Sequence, residues 1–416
     1  MEQIYIKEIH ICKVRHLKEL NIIVSSKGEA KRHLILTGKN GSGKTSLIQA
    51  IETYLYSVSQ TNDPYEASKG LKSAQSNLEY ARKRNDQNQI HEMEKYISYY
   101  ENRIEESSAG LDLIFSREPN EIRAAFERGE FILAYFGATR AFKSPEPKHV
   151  EKTILKDSYG IKENTRSIFL SYLLDLKMTQ ALASVKGDSE KADEIDKWFD
   201  NLQEILRDIY NDPSLLIKFN EDTFKFSIIV KDREPFDFNT ASDGFSAILD
   251  IIIDLILRMQ LQDKRVTKFL VPGIVLIDEI ENHLHLELQR RVLHILTELF
   301  PNIQFIVTTH SPFVLNSVSD ATVYDLEKHV LLENGLSDAS YSGIVEGYFD
   351  QDELSTDLRN KLKEYRALTQ KDDLSNEDYM RIAILETTLD EIPDYIDIAI
   401  STEYQKLKLE FESREA

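Results

Sequence analysis

Cysteine and long apolar runs are scarce in this sequence of 416 residues. Its single cysteine, Cys12, excludes an internal disulfide framework and a zinc site built on cysteines. No apolar run reaches the length of about 18 residues that a membrane-spanning helix requires, because Asp254 interrupts the longest candidate. The first residues also lack the basic and apolar blocks of a secretory signal. We therefore expect a cytoplasmic protein without membrane contact.

Basic residues are outnumbered as well, with 51 Lys and Arg against 71 Asp and Glu and a formal net charge of −20. Such a chain repels phosphates on average, which argues against a general nucleic-acid-binding protein. The charge is uneven, however. Residues 1–50 hold nine basic and four acidic side chains, whereas residues 351–416 hold nine and seventeen. Either two solvated surfaces or a local basic patch with an acidic tail fits this distribution.

Strand and helix patterns alternate along most of the chain. Apolar and polar side chains alternate over residues 4–24, which predicts two half-buried strands joined by a turn. Helical patterns cover 165–210 and about 245–260, and two strands flank the turn at 220–222. Short runs typical of buried strands lie at 34–36, 131–136, 273–277 and 305–309. This interleaving predicts an α/β fold with a largely parallel sheet.

Residues 65–106 differ from the rest because they are polar and carry two apolar stripes with heptad spacing. The stripes are Leu71, Ala74, Leu78 and Ala81, then Ile90, Met93, Ile97, Tyr100 and Ile104. The polar break at 83–89 between them suits a tight turn. We therefore predict an antiparallel helical hairpin, with one long solvated helix or a disordered loop as the alternative.

A phosphate-binding pattern occupies residues 38–45, whose sequence Gly-Lys-Asn-Gly-Ser-Gly-Lys-Thr fits G-x-x-x-x-G-K-[ST]. It follows a predicted strand and opens a predicted helix, where free backbone N–H groups and the helix dipole attract phosphate. We expect Lys44 to reach the β- and γ-phosphates and the Thr45 hydroxyl to bind Mg²⁺. The predicted nucleotide-binding residues of this loop are Gly38, Asn40, Gly41, Ser42, Gly43, Lys44, Thr45 and Ser46.

Two carboxylates and a histidine end two later strands. Asp278 and Glu279 follow the aliphatic run 274–277, and neighbouring side chains at a strand end point in different directions. We assign Asp278 to the metal and Glu279 to the base that activates water. His310 follows the strand ending at Thr309, where an imidazole can contact the γ-phosphate or the attacking water. Each feature alone is usually structural, but the upstream phosphate loop favours catalytic roles for Glu279, His310 and Lys44.

Ser242 and Gly244 form a fourth feature, because they open a long apolar helix. A hydroxyl and a helix dipole at such a position can meet an anion. Taken alone, however, Ser242 reads as an ordinary helix cap.

The order of these motifs resembles the ABC-type ATPase head shared by RecF, Rad50, SMC proteins and the OLD nucleases. The resemblance implies a P-loop head formed by 1–64 and 107–350, a helical-hairpin insertion at 65–106 and an acidic helical tail at 351–416. It implies ATP and Mg²⁺ as ligands. It also implies ATP-dependent homodimers or higher oligomers, in which Ser242 and Gly244 contact the γ-phosphate held by the other subunit.

Several positions depart from that family or stay open. Ala241 and Phe245 replace the leucine and glutamine of the usual Leu-Ser-Gly-Gly-Gln signature, and residues 135–140 lack the glutamine that binds Mg²⁺ in transporters. His283 and His285 fall in the segment called the D-loop, where interface packing is favoured over metal binding. Arg140 is expected at the nucleotide, at the dimer interface or on the surface, and Arg15 at the phosphate or adenine.

Missing features also separate the family members. The insertion has no cysteine for a zinc hook, and Asp394 and Asp397 lie in a helical pattern rather than on the buried strand of a nuclease domain. The chain thus resembles the ATPase components of anti-phage systems, such as PtuA of Septu and AriA of PARIS. That resemblance implies an ATPase switch or sensor acting through a separate effector, expected to be a nuclease, with DNA binding possible. The alternatives are a RecF-like repair ATPase that clamps on DNA and an ATP-bound scaffold with little turnover.

Overall fold

A computed structural model describes most of the chain. The described residues are 3–26, 30–60, 64–231, 233–260, 268–332, 355–371 and 375–390, together with Tyr404, Leu407, Lys408 and Phe411. The chain divides into two compact units, Met1–Gly335 and Leu336–Ala416.

The first unit contains all the strands found in the described ranges. The strands are β1 (Ile6–Val14), β2 (Leu17–Ile23), β3 (His33–Thr37), β4 (Leu111–Phe115), β5 (Ile132–Phe136), β6 (Leu216–Asn220), β7 (Lys225–Ile229), β8 (Gly273–Ile277), β9 (Ile303–Thr308), β10 (Ala321–Asp325) and β11 (Val330–Leu332). Its helices are α1 (Lys44–Ser59), α2 (Pro64–Lys83), α3 (Gln87–Ser108), α4 (Pro119–Glu127), α5 (Phe169–Lys186), α6 (Ser189–Tyr210), α7 (Asp243–Met259), α8 (Leu286–Leu299) and α9 (Pro312–Leu315), with a 3₁₀ turn at Arg166–Ile168 before α5.

Three sheets are present within the described residues. The main sheet has the order β11-β10-β3-β9-β8-β5 and is parallel except for the β10–β11 pair. A second, antiparallel sheet has the order β2-β1-β4, and β6 pairs with β7 in a small hairpin. Because the carboxyl ends of parallel strands meet at one edge, the segments after β3, β5, β8, β9 and β10 converge there.

Helix α1 lies in the core that the main sheet and the antiparallel sheet share. Its Leu47, Ile48, Ile51 and Leu55 are fully buried, and the same cluster includes β1, β4 and β9 side chains. A helix that is apolar on several faces must be covered on several sides, as here. The core thereby fixes the start of α1, and with it the phosphate loop.

Helices α2 and α3 form the predicted antiparallel hairpin. The buried residues of α2 are mostly small, including Ala67, Ala74 and Ala81. Gly70 allows the closest approach, because a Cβ there would lie 2.4 Å from the ring of Tyr100. The large stripe residues of α3 are only half-buried, so the hairpin by itself covers little apolar surface.

The predicted α/β head, N-terminal antiparallel strands and helical hairpin are confirmed, but six elements of the first unit were missed: β4, α4, α8, α9, β10 and β11. Each strand among them has five residues or fewer. Among the described residues, no helix is long and apolar enough to span a membrane.

The second unit contains α10 (Ser355–Thr369) and α11 (Asn376–Asp390). They pack through a small core that includes Tyr365, Leu385 and Tyr404. Arg381 on α11 also forms a bidentate ion pair with Glu364 on α10. The predicted helical position of Asp394 and Asp397 lies outside the described residues.

Candidate nucleotide-binding site

The phosphate loop lies between β3 and α1, as the sequence predicts. Gly38, Gly41 and Gly43 have φ angles of +133°, +83° and +99°, a region that side chains with a Cβ rarely adopt. No neighbouring atom lies within 4 Å of the position that a Cβ of Gly41 would take. The hydroxyl of Ser42 is buried and has no hydrogen-bond partner among the described residues. The loop therefore offers backbone N–H groups and a hydroxyl to an anion.

Lys44 carries the positive charge of the loop. It is 5% exposed, and its ammonium donates to the carbonyls of Gly38 and Lys39 at 2.7 and 3.0 Å. Burial lowers the pKa of Lys44, and four nearby carboxylates oppose that shift. They belong to Glu281, Glu279, Asp278 and Asp325. Lys44 is thus the central cation of an acidic site, as required for a group that binds phosphate beside a metal.

Asp278 lies where an Mg²⁺ ion would need it. Its Oδ1 accepts hydrogen bonds from the hydroxyl of Thr308 at 2.6 Å and from that of Thr45 at 3.3 Å. A carboxylate and a threonine hydroxyl at this separation provide the oxygen ligands that Mg²⁺ prefers. The residues present therefore fit the predicted metal site.

Glu279 adopts a left-handed backbone conformation directly after Asp278, with φ +48°. Its N–H donates to the hydroxyl of Thr308 at 2.7 Å, and its carbonyl accepts from Asn282 at 2.9 Å. A non-glycine residue in this region costs about 1 kcal/mol or more and persists only where its surroundings hold it. The backbone therefore changes conformation between Asp278, the predicted metal ligand, and Glu279, the predicted base.

Arg140 supports the backbone of this turn through hydrogen bonds to its carbonyls. It is buried, and its guanidinium donates to the carbonyls of Asp278 at 2.6 Å, Glu279 at 2.8 Å and Ile280 at 3.3 Å. Burial lowers the pKa of Arg140, while Asp250 and the site carboxylates oppose the shift. These contacts exclude a surface role for Arg140 and make it a support of the backbone after β8.

His310 lies close to the same charges. Burial and the charge of Lys44 lower the pKa of His310, whereas the carboxylates of Glu281, Glu279 and Asp278 raise it. The backbone N–H of His310 donates to the Glu281 carboxylate. Glu281 was missed from the sequence, where it reads as one more acidic residue after a strand.

Two further residues at this edge were also missed. Asp325 is buried at the end of β10 and lies beside Gly38. It is the last residue of β10, a strand that the sequence pattern did not reveal. Tyr135 is the penultimate residue of β5, where burial and the charge of Asp278 raise its pKa.

A cavity of about 320 Å³ adjoins the phosphate loop. Its lining combines apolar and polar side chains, which suits a nucleoside. The lining residues are His16, Leu17, Lys18, Ser42, Leu326, Glu327 and His329. The ring of His16 contacts the carbonyl of Ser42 at 3.1 Å, and Arg15 lies exposed in the same β1–β2 turn.

The segment that carries Ser242 and Gly244 contacts the turn after Glu279. A Cβ on Gly244 would lie 2.9 Å from the carbonyl of His283, and the ring of Phe245 contacts that of His285 at 5.7 Å. Ser242 is exposed, and its side chain makes no capping hydrogen bond to α7. The expected cap bond is therefore absent at this described residue, and its hydroxyl faces outward.

The structure thus brings together most of the predicted site. The loop residues from Gly38 to Ser46, Asp278, Glu279 and His310 meet at one edge of the main sheet, whereas Ser242 and Gly244 lie with His283 and His285. Within the described ranges, no group of three or more His, Cys, Asp or Glu residues could hold a metal ion. The alternative of metal binding by His283 and His285 therefore gains no support.

Comparison with known families identifies the domain that contains these residues. Residues 34–316 match the family described as "AAA domain, putative AbiEii toxin, Type IV TA system". The match extends over more than half of the chain and includes the phosphate loop, Asp278, Glu279 and His310. The chain belongs to this family of ATPase domains.

Curated relatives include a Septu protein and a probable retron ATPase. The Septu protein PtuA of Bacillus mycoides (strain KBAB4) is 25% identical over 347 residues, which cover 80% of this chain and 41% of PtuA. The retron Ec83 probable ATPase of Escherichia coli is 31% identical over 160 residues, covering 37% of this chain and 30% of that protein. The chain therefore spans less than half the length of these curated relatives.

A solved structure with some similarity is the SMC head domain from Thermotoga maritima. It is 12% identical, and the superposition covers 77% of this chain and 94% of that head, with a TM-score of 0.35.

Proposed function

We propose that this chain binds and hydrolyses ATP and serves as the ATPase subunit of a bacterial anti-phage defence system. One observation carries the first part: Lys44 and Thr45 meet Asp278, Glu279 and His310 at a single edge of the sheet. Membership of the ATPase family and the likeness to Septu and retron ATPases support the second part.

Substrate binding follows from the loop. Its backbone N–H groups and Lys44 bind the β- and γ-phosphates, and the neighbouring cavity takes the nucleoside. Thr45 and Asp278 would hold Mg²⁺, which supplies charge neutralisation at the phosphates when bound. In the bound state, the ammonium of Lys44 exchanges its loop carbonyls for phosphate oxygens.

Hydrolysis follows from the two groups beyond the metal site. Glu279 accepts the proton of the attacking water as it adds to the γ-phosphorus, and the bond to the β-phosphate oxygen breaks. His310 lies near Lys44, where its imidazole can contact the γ-phosphate or that water. Arg140 keeps the Glu279 turn in place, so the base needs little rearrangement.

Two protomers would share each site. The exposed hydroxyl of Ser242 and the N-terminus of α7 suit contact with the γ-phosphate bound by another protomer. ATP binding would then favour head-to-head dimers, and hydrolysis would release them. The contact of Gly244 with the turn after Glu279 would join the interface to the base.

The output would be made by a separate effector, which we propose to be a nuclease in the cytoplasm. The net charge of −20 favours a protein partner over a RecF-like clamp on DNA.

A phage-infection assay tests the defence role. Bacteria carry this gene with its neighbours and express wild type, Lys44→Ala or the control Lys191→Ala, an exposed lysine on α6. We expect wild type and the control to reduce plaque numbers and Lys44→Ala to lose protection. Equal protection by Lys44→Ala would contradict a defence role that depends on ATP. DNA binding by the purified ATP-bound chain in the absence of any effector would favour the clamp instead.

A further inference from the structure

Glu281 has two carboxylate oxygens in different situations. Oε1 accepts the hydrogen bond from the N–H of His310. Oε2 is buried and has no partner among the described residues. A buried acceptor without a donor destabilises a fold. The side chain is therefore hard to explain as a stabilising contact alone.

The backbone around His310 shows why that one contact matters. The N–H of Thr309 donates to the carbonyl of Leu36 at 3.0 Å, and the N–H of Ser311 donates to the hydroxyl of Thr309 at 2.9 Å. Each of these bonds stays within the sheet or within the segment itself. The N–H of His310, in contrast, is bound by a side chain that comes from the turn after Asp278 and Glu279.

A second contact joins the same two segments. Gln289 on α8 donates to the carbonyl of Leu284 at 2.8 Å and accepts from the hydroxyl of Ser311 at 2.7 Å. Ser311, directly after the histidine, is thus connected through Gln289 to Leu284, and Glu281 supplies the connection at His310 itself.

We propose that Glu281 is a positioning residue for hydrolysis, which holds the backbone of His310 and so orients its imidazole at the Lys44 end of the site. This inference rests on the proposed ATPase function. Glu281 acts through an oxygen that accepts a hydrogen bond. It is distinct from Glu279, which acts as a base. The negative charge of Glu281 lies near Lys44 and weakens the attraction of that cation for phosphate. Removing the charge of Glu281 therefore does not impair ATP binding.

The test measures kcat and the Kd for ATP with the full chain. The variants are Glu281→Ala, Glu281→Gln, Glu281→Asp, His310→Ala and the Glu281→Ala/His310→Ala double variant. The control is Glu298→Ala, an exposed glutamate on α8. We expect Glu281→Ala to lower kcat by about 10- to 100-fold, the effect of one charge-assisted hydrogen bond. The Kd for ATP should stay within about threefold in that variant.

The other variants distinguish the position of the acceptor oxygen from the charge of the side chain. Glu281→Gln keeps an acceptor oxygen and should recover most of the lost kcat. Glu281→Asp keeps the charge but withdraws the oxygen by one methylene, so it should be slow even if Glu281→Ala folds poorly. The double variant should be no slower than His310→Ala by more than about twofold, because both changes remove the same effect.

Three results would overturn this inference: wild-type kcat in Glu281→Ala, a Glu281→Gln rate as low as that of Glu281→Ala, or additive losses in the double variant. The second would assign Glu281 a role as an acid or base. If wild type hydrolysed ATP no faster than Lys44→Ala, the proposed function would fail as well. Normal wild-type turnover with no effect of any Glu281 variant would overturn this inference alone.

Discussion

Arg140 offers the most direct test of how the site is built. It is 5% exposed, and its guanidinium donates to the carbonyls of Gly137, Asp278, Glu279 and Ile280 at 2.6–3.3 Å. A hydrogen bond to a charged group contributes about 1.5–3 kcal/mol. The four bonds share one buried cation, so their contributions do not add. We expect Arg140→Ala to lower the free energy of unfolding by about 3–5 kcal/mol, because it leaves several buried carbonyls without a donor.

The assay is urea unfolding followed by tryptophan fluorescence. Trp198 is the only tryptophan of the chain and is buried in α6 of the first unit, so it reports on the unit that contains Arg140. Arg140→Lys keeps the charge without the planar fork and should recover only part of the loss. The exposed Arg82 is the control, and Arg82→Ala should change stability by about 0.5 kcal/mol or less. A loss below about 1 kcal/mol in Arg140→Ala, with normal ATP turnover, would refute this reasoning.

Three further predictions concern assembly and pH. Replacing residues 67–104 with a short linker should spare ATP binding and weaken assembly or partner binding in sedimentation; lost ATP binding would place the hairpin in the ATPase core. Ser242→Arg should leave ATP binding by the protomer largely intact and block ATP-dependent dimers. Mixing these chains with Lys44→Ala chains should restore part of the turnover, and no recovery in demonstrated mixed dimers would count against independent shared sites. Burial raises the pKa of Asp250 to about 6. Between about pH 4 and pH 6, the native state therefore holds a proton at Asp250 that the unfolded chain has released. Through this group, the free energy of unfolding falls as pH rises from about 4 to about 6. Asp250→Asn should remove that part of the slope in urea titrations, and an unchanged slope would contradict it.

Most of the fold was predicted from local patterns in the sequence. The phosphate loop, the apolar helix α1 and the run before Asp278 are contiguous in sequence, so spacing alone identifies them. The short strands β4 and β10 were missed because their conformation depends on distant partners. β10 pairs with β3, which lies almost 300 residues earlier in the chain.

Site residues whose expected chemistry follows from their residue type were predicted from the sequence. Residues whose role depends on the folded backbone around them were not. Asp278 and Glu279 were identified because they end an apolar run. The roles of Arg140 and Glu281 depend on the left-handed turn at Glu279 and on the approach of His310, which no pattern in the sequence encodes.

The central claim is that Glu279 activates water for hydrolysis of ATP held by Lys44. The most direct measurement is single-turnover ATP hydrolysis by Glu279→Gln, with the Kd for ATP determined in parallel and Glu298→Gln as control. We predict a rate lower by about 10²–10⁴-fold with ATP binding retained, because glutamine keeps the shape and hydrogen bonding but cannot accept the proton. Hydrolysis by Glu279→Gln at the wild-type rate would contradict the account.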